Sequence, residues 1–262
     1  MDASFSNCWT RIAAIAFALP VSAQIEADNT LGAERSRLTP NAILRRRANR
    51  AGIRADLIEG GAQRAGNLFH SFAQFNVNDG QSVYFDNPDG VNNIFGRVTG
   101  TNLSNILGTL GVDGNANLFL LNPNGILFGP NARLDVNGSF VGSTANAIQF
   151  GNQGFFSTAD SSTPPLLTVN PSAFLFNQIN PNARIVNQSI TPLGLNNLGG
   201  IAFGLEVPLG RSLLLLGGDV ALENGSGVNA FGGRVELGGL ASPGTVGLTA
   251  GDQFRLTFRK MQ

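Results

Sequence analysis

The chain has 262 residues, of which 42% are apolar and 34 are Gly, and its 17 basic and 17 acidic side chains cancel to zero formal charge. That apolar content excludes a disordered chain, and only 13% charged residues leaves too little Lys and Glu for a surface built of helices. Zero net charge gives no general pull towards nucleic acid or an anionic membrane.

In chain order, the first element is an export signal. Arg11 precedes the apolar run Ile12-Ala13-Ala14-Ile15-Ala16-Phe17-Ala18-Leu19, Pro20 breaks it, and Val21-Ser22-Ala23 places small residues ahead of a cleavage site before Gln24. A run of eight apolar residues is too short to cross a bilayer, which takes about 20. The single cysteine, Cys8, falls inside this segment, so the mature chain is expected to hold its fold without disulfides.

Residues 24–66 are polar and turn-rich, with no sustained period, and are expected to cap the N-terminal end of a strand-rich region beginning at Asn67. Arg45, Arg46, Arg47, Arg50, Arg54 and Arg64 concentrate here. Such a run reads as an anionic-surface patch or as a solvated loop, and no aromatic residues interleave with it to stack on bases. No nucleic-acid partner is expected.

From Asn67 the pattern changes to short strands, predicted at 68–77, 82–85, 93–99 and 105–112. They are separated by Asn78-Asp79-Gly80, Asn87-Pro88-Asp89-Gly90 and Asp113-Gly114-Asn115, residue types that set turn dihedrals or bond to their own backbone. Leu118-Phe119-Leu120-Leu121 is apolar on both faces, as in a strand covered on both sides. Asn122-Pro123-Asn124-Gly125 then turns the chain, and Gly129-Pro130-Asn131-Ala132 turns it again seven residues later, which leaves no room for a helix. Beyond it, Ala132, Leu134 and Val136 alternate with Arg133, Asp135 and Asn137, the period of a strand with one face in water.

The tetrapeptide Pro-Asn-Ala-Arg recurs at 130–133 and 181–184, a spacing of 51 residues, or two or more coils of roughly 20–25 residues. Residues 151–170 read as a loop or excursion from the stack. Strands resume at 201–203, 211–216, 220–222 and 233–237, with Gly-Gly pairs at corner intervals. The whole is a β-solenoid, stacked at about 4.8 Å per strand.

Catalytic chemistry is sparse. His70 is the one histidine, so neither a zinc site nor a Cys-His pair can be assembled in the mature chain, and a packed or rim position explains it. Asp79, Asp86 and Asp89 could hold calcium or simply serve their turns. Asp113 and Asp135 flank the Asn-Pro-Asn-Gly turn and Arg133 lies two residues from Asp135, the groups available to a polysaccharide-cleaving β-helix, an alternative that needs paired acids, or an acid–base set with Lys or Arg, on one face. A carbohydrate binder would need exposed aromatics on one face, and for sugar stacking the mature chain has one Tyr, Tyr84, and no Trp, since Trp9 lies in the signal. No cofactor or metal is expected.

With the signal, the strands and the turn in place, the chain resembles the filamentous haemagglutinin N-terminal (two-partner secretion) domain, cyanobacterial members especially. The resemblance is carried by Leu31-Gly32-Ala33-Glu34, Asn67-Leu68-Phe69-His70-Ser71-Phe72, Gln74-Phe75-Asn76-Val77, Asn122-Pro123-Asn124-Gly125-Ile126, Gly138-Ser139-Phe140, Val207-Pro208-Leu209-Gly210-Arg211-Ser212 and Gly233-Arg234-Val235-Glu236-Leu237. It implies an all-β fold, a right-handed parallel β-helix with an N-terminal cap and extra-helical strands. It also implies a non-enzymatic secretion domain of an adhesin-like surface protein, engaged in the periplasm by the polypeptide-transport domains of an outer-membrane β-barrel transporter. Carbohydrate or cell-surface targets would belong to the exported protein. Folding outside the cell would then draw the chain out, each new rung adding to the last. Asn122, Pro123, Asn124, Gly125 and Ile126 map onto the family's Asn-Pro-Asn-Gly-Ile motif, as a turn or as a direct transporter contact. The family's other motif, Asn-Pro-Asn-Leu, has no literal copy, and residues 92–103 stand in its place. The expected division is signal 1–23, cap 24–66, β-helix 67–250 and a C-terminal end 251–262 with no long repetitive passenger behind it, as in a fragment, a stand-alone domain or a decoy.

Overall fold

Strands this short, with a corner after each, gain little from pairing with their sequence neighbours. They pair instead with the equivalent strand one coil further on. The computed structural model describes residues 24–45, 52–159, 166–195, 201–251 and 253–258, and shows a right-handed parallel β-helix. The export signal expected at 1–23, and Arg46, Arg47 and Arg50, lie outside the described residues.

The helix has three faces. The first stacks Asn67–Phe75, Asn93–Val98, Asn117–Leu121, Phe140–Ser143, Ser212–Gly217 and Arg234–Gly239 in parallel. The second stacks Arg54–Gly60, Ser82–Asp86, Thr109–Asp113 and Arg133–Asp135. The third stacks Ser104–Ile106, Ile126–Phe128, Arg184–Asn187 and Asp219–Leu222. Corner residues one coil apart, Asn67, Asn93, Asn117 and Ser139, are spaced by 26, 24 and 22 residues.

The interior fills by columns. Leu68, Ile94, Leu118, Phe140 and Leu213 lie in register through the core. Beside them runs His70, Gly96, Leu120, Gly142 and Leu215, large alternating with absent side chains. The glycines make room: a Cβ at Gly142 would lie 3.2 Å from Leu215 Cδ2. Rungs at fixed spacing leave a layer too thin for large side chains at every level, and this column meets that limit by alternation.

The first face is apolar on its outer side too. Phe69, Phe95, Phe119, Val141 and Leu214 form an outward column, with neighbouring rings 5.1 and 4.6 Å apart at the start. An antiparallel sheet outside the helix covers it, in the order Phe155–Ser157, Ala147–Gln149, Ala173–Phe176, Gly244–Thr249, Arg255–Phe258. At the N-terminal end, Ile25–Ala27 pairs antiparallel with Asn67–Phe75, and Ser36–Ile43 pairs antiparallel with Arg54–Gly60.

Several expectations are corrected. Residues 105–112 are two strands on different faces, because the chain turns at Gly108, where a Cβ would overlap the carbonyl oxygens of Asn78 and Gln81. The region 24–66 holds regular strands whose period is hidden by a bulge between Thr39 and Ala42, with Asn41 at φ 53°. Of the two readings of 151–170, the excursion holds rather than the loop, since Phe155–Ser157 is a strand of the covering sheet outside the helix. The two Pro-Asn-Ala-Arg turns are not equivalent: the first enters the second face and the second enters the third. The doubly apolar 118–121 segment behaves as expected, with Leu118 and Leu120 inward and Phe119 and Leu121 outward.

Candidate functional site

The Asn-Pro-Asn-Gly segment forms the corner between the first and third faces. Gly125 N–H donates to the Asn122 carbonyl at 3.1 Å, closing a β-turn with Pro123 and Asn124 at its centre. No central residue has positive φ, so this is a type I turn, and Asn, Pro and Gly occupy the first, second and fourth positions that turn favours. Gly125 itself sits at φ 117°, and a Cβ there would lie 2.9 Å from the Arg184 carbonyl oxygen. Ile126 then enters the core at 1% exposure.

The two asparagines clip this corner to the one beneath it. Asn122 Nδ2 donates to the Asn102 carbonyl at 3.0 Å and to Ser104 Oγ at 2.9 Å, while its Oδ1 accepts the Asn124 N–H at 2.9 Å. Asn124 Nδ2 donates to the Gly100 carbonyl at 2.8 Å. Asn122 is fully buried, whereas Pro123 and Asn124 are half-buried. Residues 100–103, where the sequence lacks a literal Asn-Pro-Asn-Leu, form the lower corner that receives both amides. Beside the turn lies an open hollow of about 490 Å³, with Gln74, Asn76, Asn102, Asn105, Asn124 and Asn182 in its lining. It is uncharged, and its amides can both donate and accept.

A second polar cluster stands apart from the motif. Arg97, 1% exposed, donates from Nε to Ser71 Oγ at 2.9 Å and from Nη2 to Thr30 Oγ1 at 3.0 Å. Its Nη1 donates to the Ser157 carbonyl, and its guanidinium lies 4.5 Å from the centre of the Phe156 ring. Asp28 accepts from Thr30 N–H and Oγ1, from Ser71 Oγ and from Thr99 Oγ1. Burial works to raise the Asp28 carboxyl, but these four bonds prevail and hold it below its ordinary value. Sequence reasoning missed Arg97 because it sits inside an ordinary strand and its partners are far away along the chain. Arg64 and Glu34 form a two-pronged ion pair at 2.9 and 2.8 Å, which lowers the Glu34 carboxyl.

His70 is fully buried between Phe72 and Phe85, its Nδ1 is 3.0 Å from Ser36 Oγ, and burial depresses its pKa to about 3. Asp79 accepts from Asn131 Nδ2, Asp113 Oδ2 accepts the Arg45 N–H at 2.8 Å, and Asp135 Oδ2 accepts the Tyr84 hydroxyl at 2.6 Å. Asp86 and Asp113 are register neighbours and line, with Glu59, a separate hollow of about 520 Å³. Among the described residues no group of three possible ligands is placed to hold a metal ion.

Comparison with known proteins gives one family. The chain resembles the crystal structure of the HMW1 secretion domain from Haemophilus influenzae at a TM-score of 0.56 and 21% identity, over 86% of this chain and 48% of that one. It therefore spans about half the length of that structure. A weaker likeness, TM-score 0.38 and 12% identity over 83% of this chain and 100% of the other, is to the filamentous hemagglutinin secretion domain. No curated protein matches the sequence. The family model described as the TPS secretion domain matches residues 23–261, and the chain belongs to that two-partner secretion family.

Proposed function

We propose that this secretion domain directs an adhesin-like protein out of the cell: residues 1–23 take it to the periplasm, and an outer-membrane β-barrel transporter then carries it outward. Residues 24–66 act as the cap of the β-helix at 67–250, with their strand Arg54–Gly60 already stacked on its second face. The transporter reads the Asn122-Pro123-Asn124-Gly125-Ile126 segment before the chain folds. One observation carries this order of events. Asn122 is fully buried and its amide is spent on Asn102, Ser104 and Asn124, so a partner can reach it only in the unfolded chain. Folding then removes the segment from the transporter's reach, which favours release on the outer side. The acids Asp113 and Asp135 are engaged within the fold, so a non-enzymatic role accounts for them without a substrate.

The test is export from cells with and without the transporter. We expect the protein in the medium only when the transporter is present, and loss of export on Asn122→Ala. Periplasmic retention beside a working transporter would overturn the proposal.

A further inference from the structure

A solenoid whose rungs touch only their neighbours can form one rung at a time, since each rung closes its own interior. Here that holds for one side of the first face only. Its outer side carries Phe69, Phe95, Phe119, Leu121 and Val141, all fully buried, and the next rung does not cover them.

Their cover comes from late in the chain. Phe69 packs against Phe150 and Phe156 at 5.5 and 4.8 Å, Phe95 against Phe150 at 5.1 Å, and Phe119 against Phe254 at 5.3 Å. The polar contacts run the same way. Arg97 reaches the Ser157 carbonyl 60 residues on, and Asn67 Nδ2 donates to the carbonyls of Leu167 and Val169, 100 and 102 residues on. The covering sheet is itself incomplete without Gly244–Thr249, which pairs with Ala173–Phe176 and brings Val246 and Leu248 into the same cluster. Phe254 N–H then donates to the buried Ser212 Oγ at 2.9 Å.

We propose that this domain folds as one cooperative unit that closes only when residues 244–256 are present, not rung by rung from its N-terminus. Before residues 147–176 arrive, Phe69 and Phe95 face water and Arg97 lacks its Ser157 carbonyl; until residues 244–256 arrive, Phe119 lacks Phe254 and Ala173–Phe176 lacks its Gly244–Thr249 partner. Closing loops of this length before any contact rewards them is slow. The folding claim stands on these contacts alone. Its consequence for export rests on the proposed function: the emerging N-terminal half stays unfolded and transportable, and the pull from folding arrives late and all at once.

The experiment is pulse-labelled hydrogen exchange during refolding of the exported chain, residues 24–262, with native-state exchange on the same chain and on Phe254→Ala. We expect amides of Asn67–Phe75 and Asn93–Val98 to become protected with the same rate constant as those of Gly244–Thr249. In Phe254→Ala all three segments should lose protection by one common factor, about 100-fold or more. Rung amides protected in an earlier phase, or a loss confined to Gly244–Thr249, would overturn the inference. If the variant does not fold, refolding of the unaltered chain decides alone. Export that fails while these kinetics hold would count against the secretion reading and leave the folding claim standing.

Discussion

Replacing Asn122 by Ala should damage the fold more than replacing Asn124, although both stand in one turn. Asn122→Ala takes the donor from the Asn102 carbonyl and Ser104 Oγ, and the acceptor from the Asn124 N–H. Ser104 is fully buried, so its hydroxyl has no water to turn to, and a stranded buried group costs about 1–3 kcal/mol. The Asn102 carbonyl and the Asn124 N–H lie nearer solvent and count for about 0.5–1 kcal/mol each. The sum is roughly 3 kcal/mol, a large part of the 5–15 kcal/mol typical of a whole domain. Asn124→Ala loses mainly the bond to the Gly100 carbonyl, about 1 kcal/mol. Asn122→Asp should be worse than Ala, because it sets a buried carboxylate against the Asn102 carbonyl oxygen. Urea unfolding measures this directly. With a slope near 2 kcal/mol/M, Asn122→Ala should lower the midpoint by about 1.5 M at unchanged slope. Equal midpoint shifts for Asn122→Ala and Asn124→Ala would refute the reasoning that burial sets the cost.

His70 should make the fold sensitive to mild acid. Burial depresses its pKa to about 3 in the folded chain against an ordinary 6.5, so the unfolded state binds the proton first and stability falls as pH drops from 6.5 towards 3. By pH 5 the loss is about 2 kcal/mol. Asp28 also titrates below its ordinary 3.8, so its contribution is lost lower on the scale. Unfolding midpoints taken from pH 7 to 5 should therefore slope in the native chain and flatten in His70→Gln, and an unchanged slope would discount His70. Arg97→Met should cost about 2–3 kcal/mol, because it takes the donors from the fully buried Ser71 hydroxyl, the Thr30 hydroxyl and the Ser157 carbonyl. Arg97→Lys, which keeps the charge but not the planar fork, should fall between the two in thermal unfolding.

What could be read from the sequence was what the chain settles locally. The Asn122 turn was legible because its residues match the positions of one turn type. The two-sided burial of 118–121 was legible because four apolar residues in a row cannot alternate. Residues 105–112 read as one strand because Leu107-Gly108 lies inside an apolar run. Only the close approach of the Asn78 and Gln81 carbonyls shows that the chain turns there. The Pro-Asn-Ala-Arg pair misled for a different reason: one turn chemistry serves two corners, so like turns need not be a whole number of coils apart. Arg97 was not legible, and extra-helical strands were expected from the family resemblance alone, because the contacts that hold them lie 60 to 102 residues along the chain and no periodicity announces them.

The scarcity of charge, met first as a compositional fact, has a structural cause. Stacking at about 4.8 Å places like positions of successive rungs directly over one another. A column of equal charges at that spacing repels by on the order of 1 kcal/mol per pair even in water, and by more where water is excluded. An amide column does the reverse, because each side chain carries both a donor and an acceptor. At the first corner, Asn93 Nδ2 donates to Asn67 Oδ1 at 3.0 Å, Asn117 Nδ2 donates to Asn93 Oδ1 at 2.9 Å, and Asn117 Oδ1 takes the Ser139 N–H at 2.8 Å. Where acids do stack, at Asp86 and Asp113, the upper one is met by a backbone N–H of Arg45. The Asn-rich, charge-poor composition is thus what a rung-stacked fold selects, and the Asn122–Ile126 corner is one instance of the same chemistry.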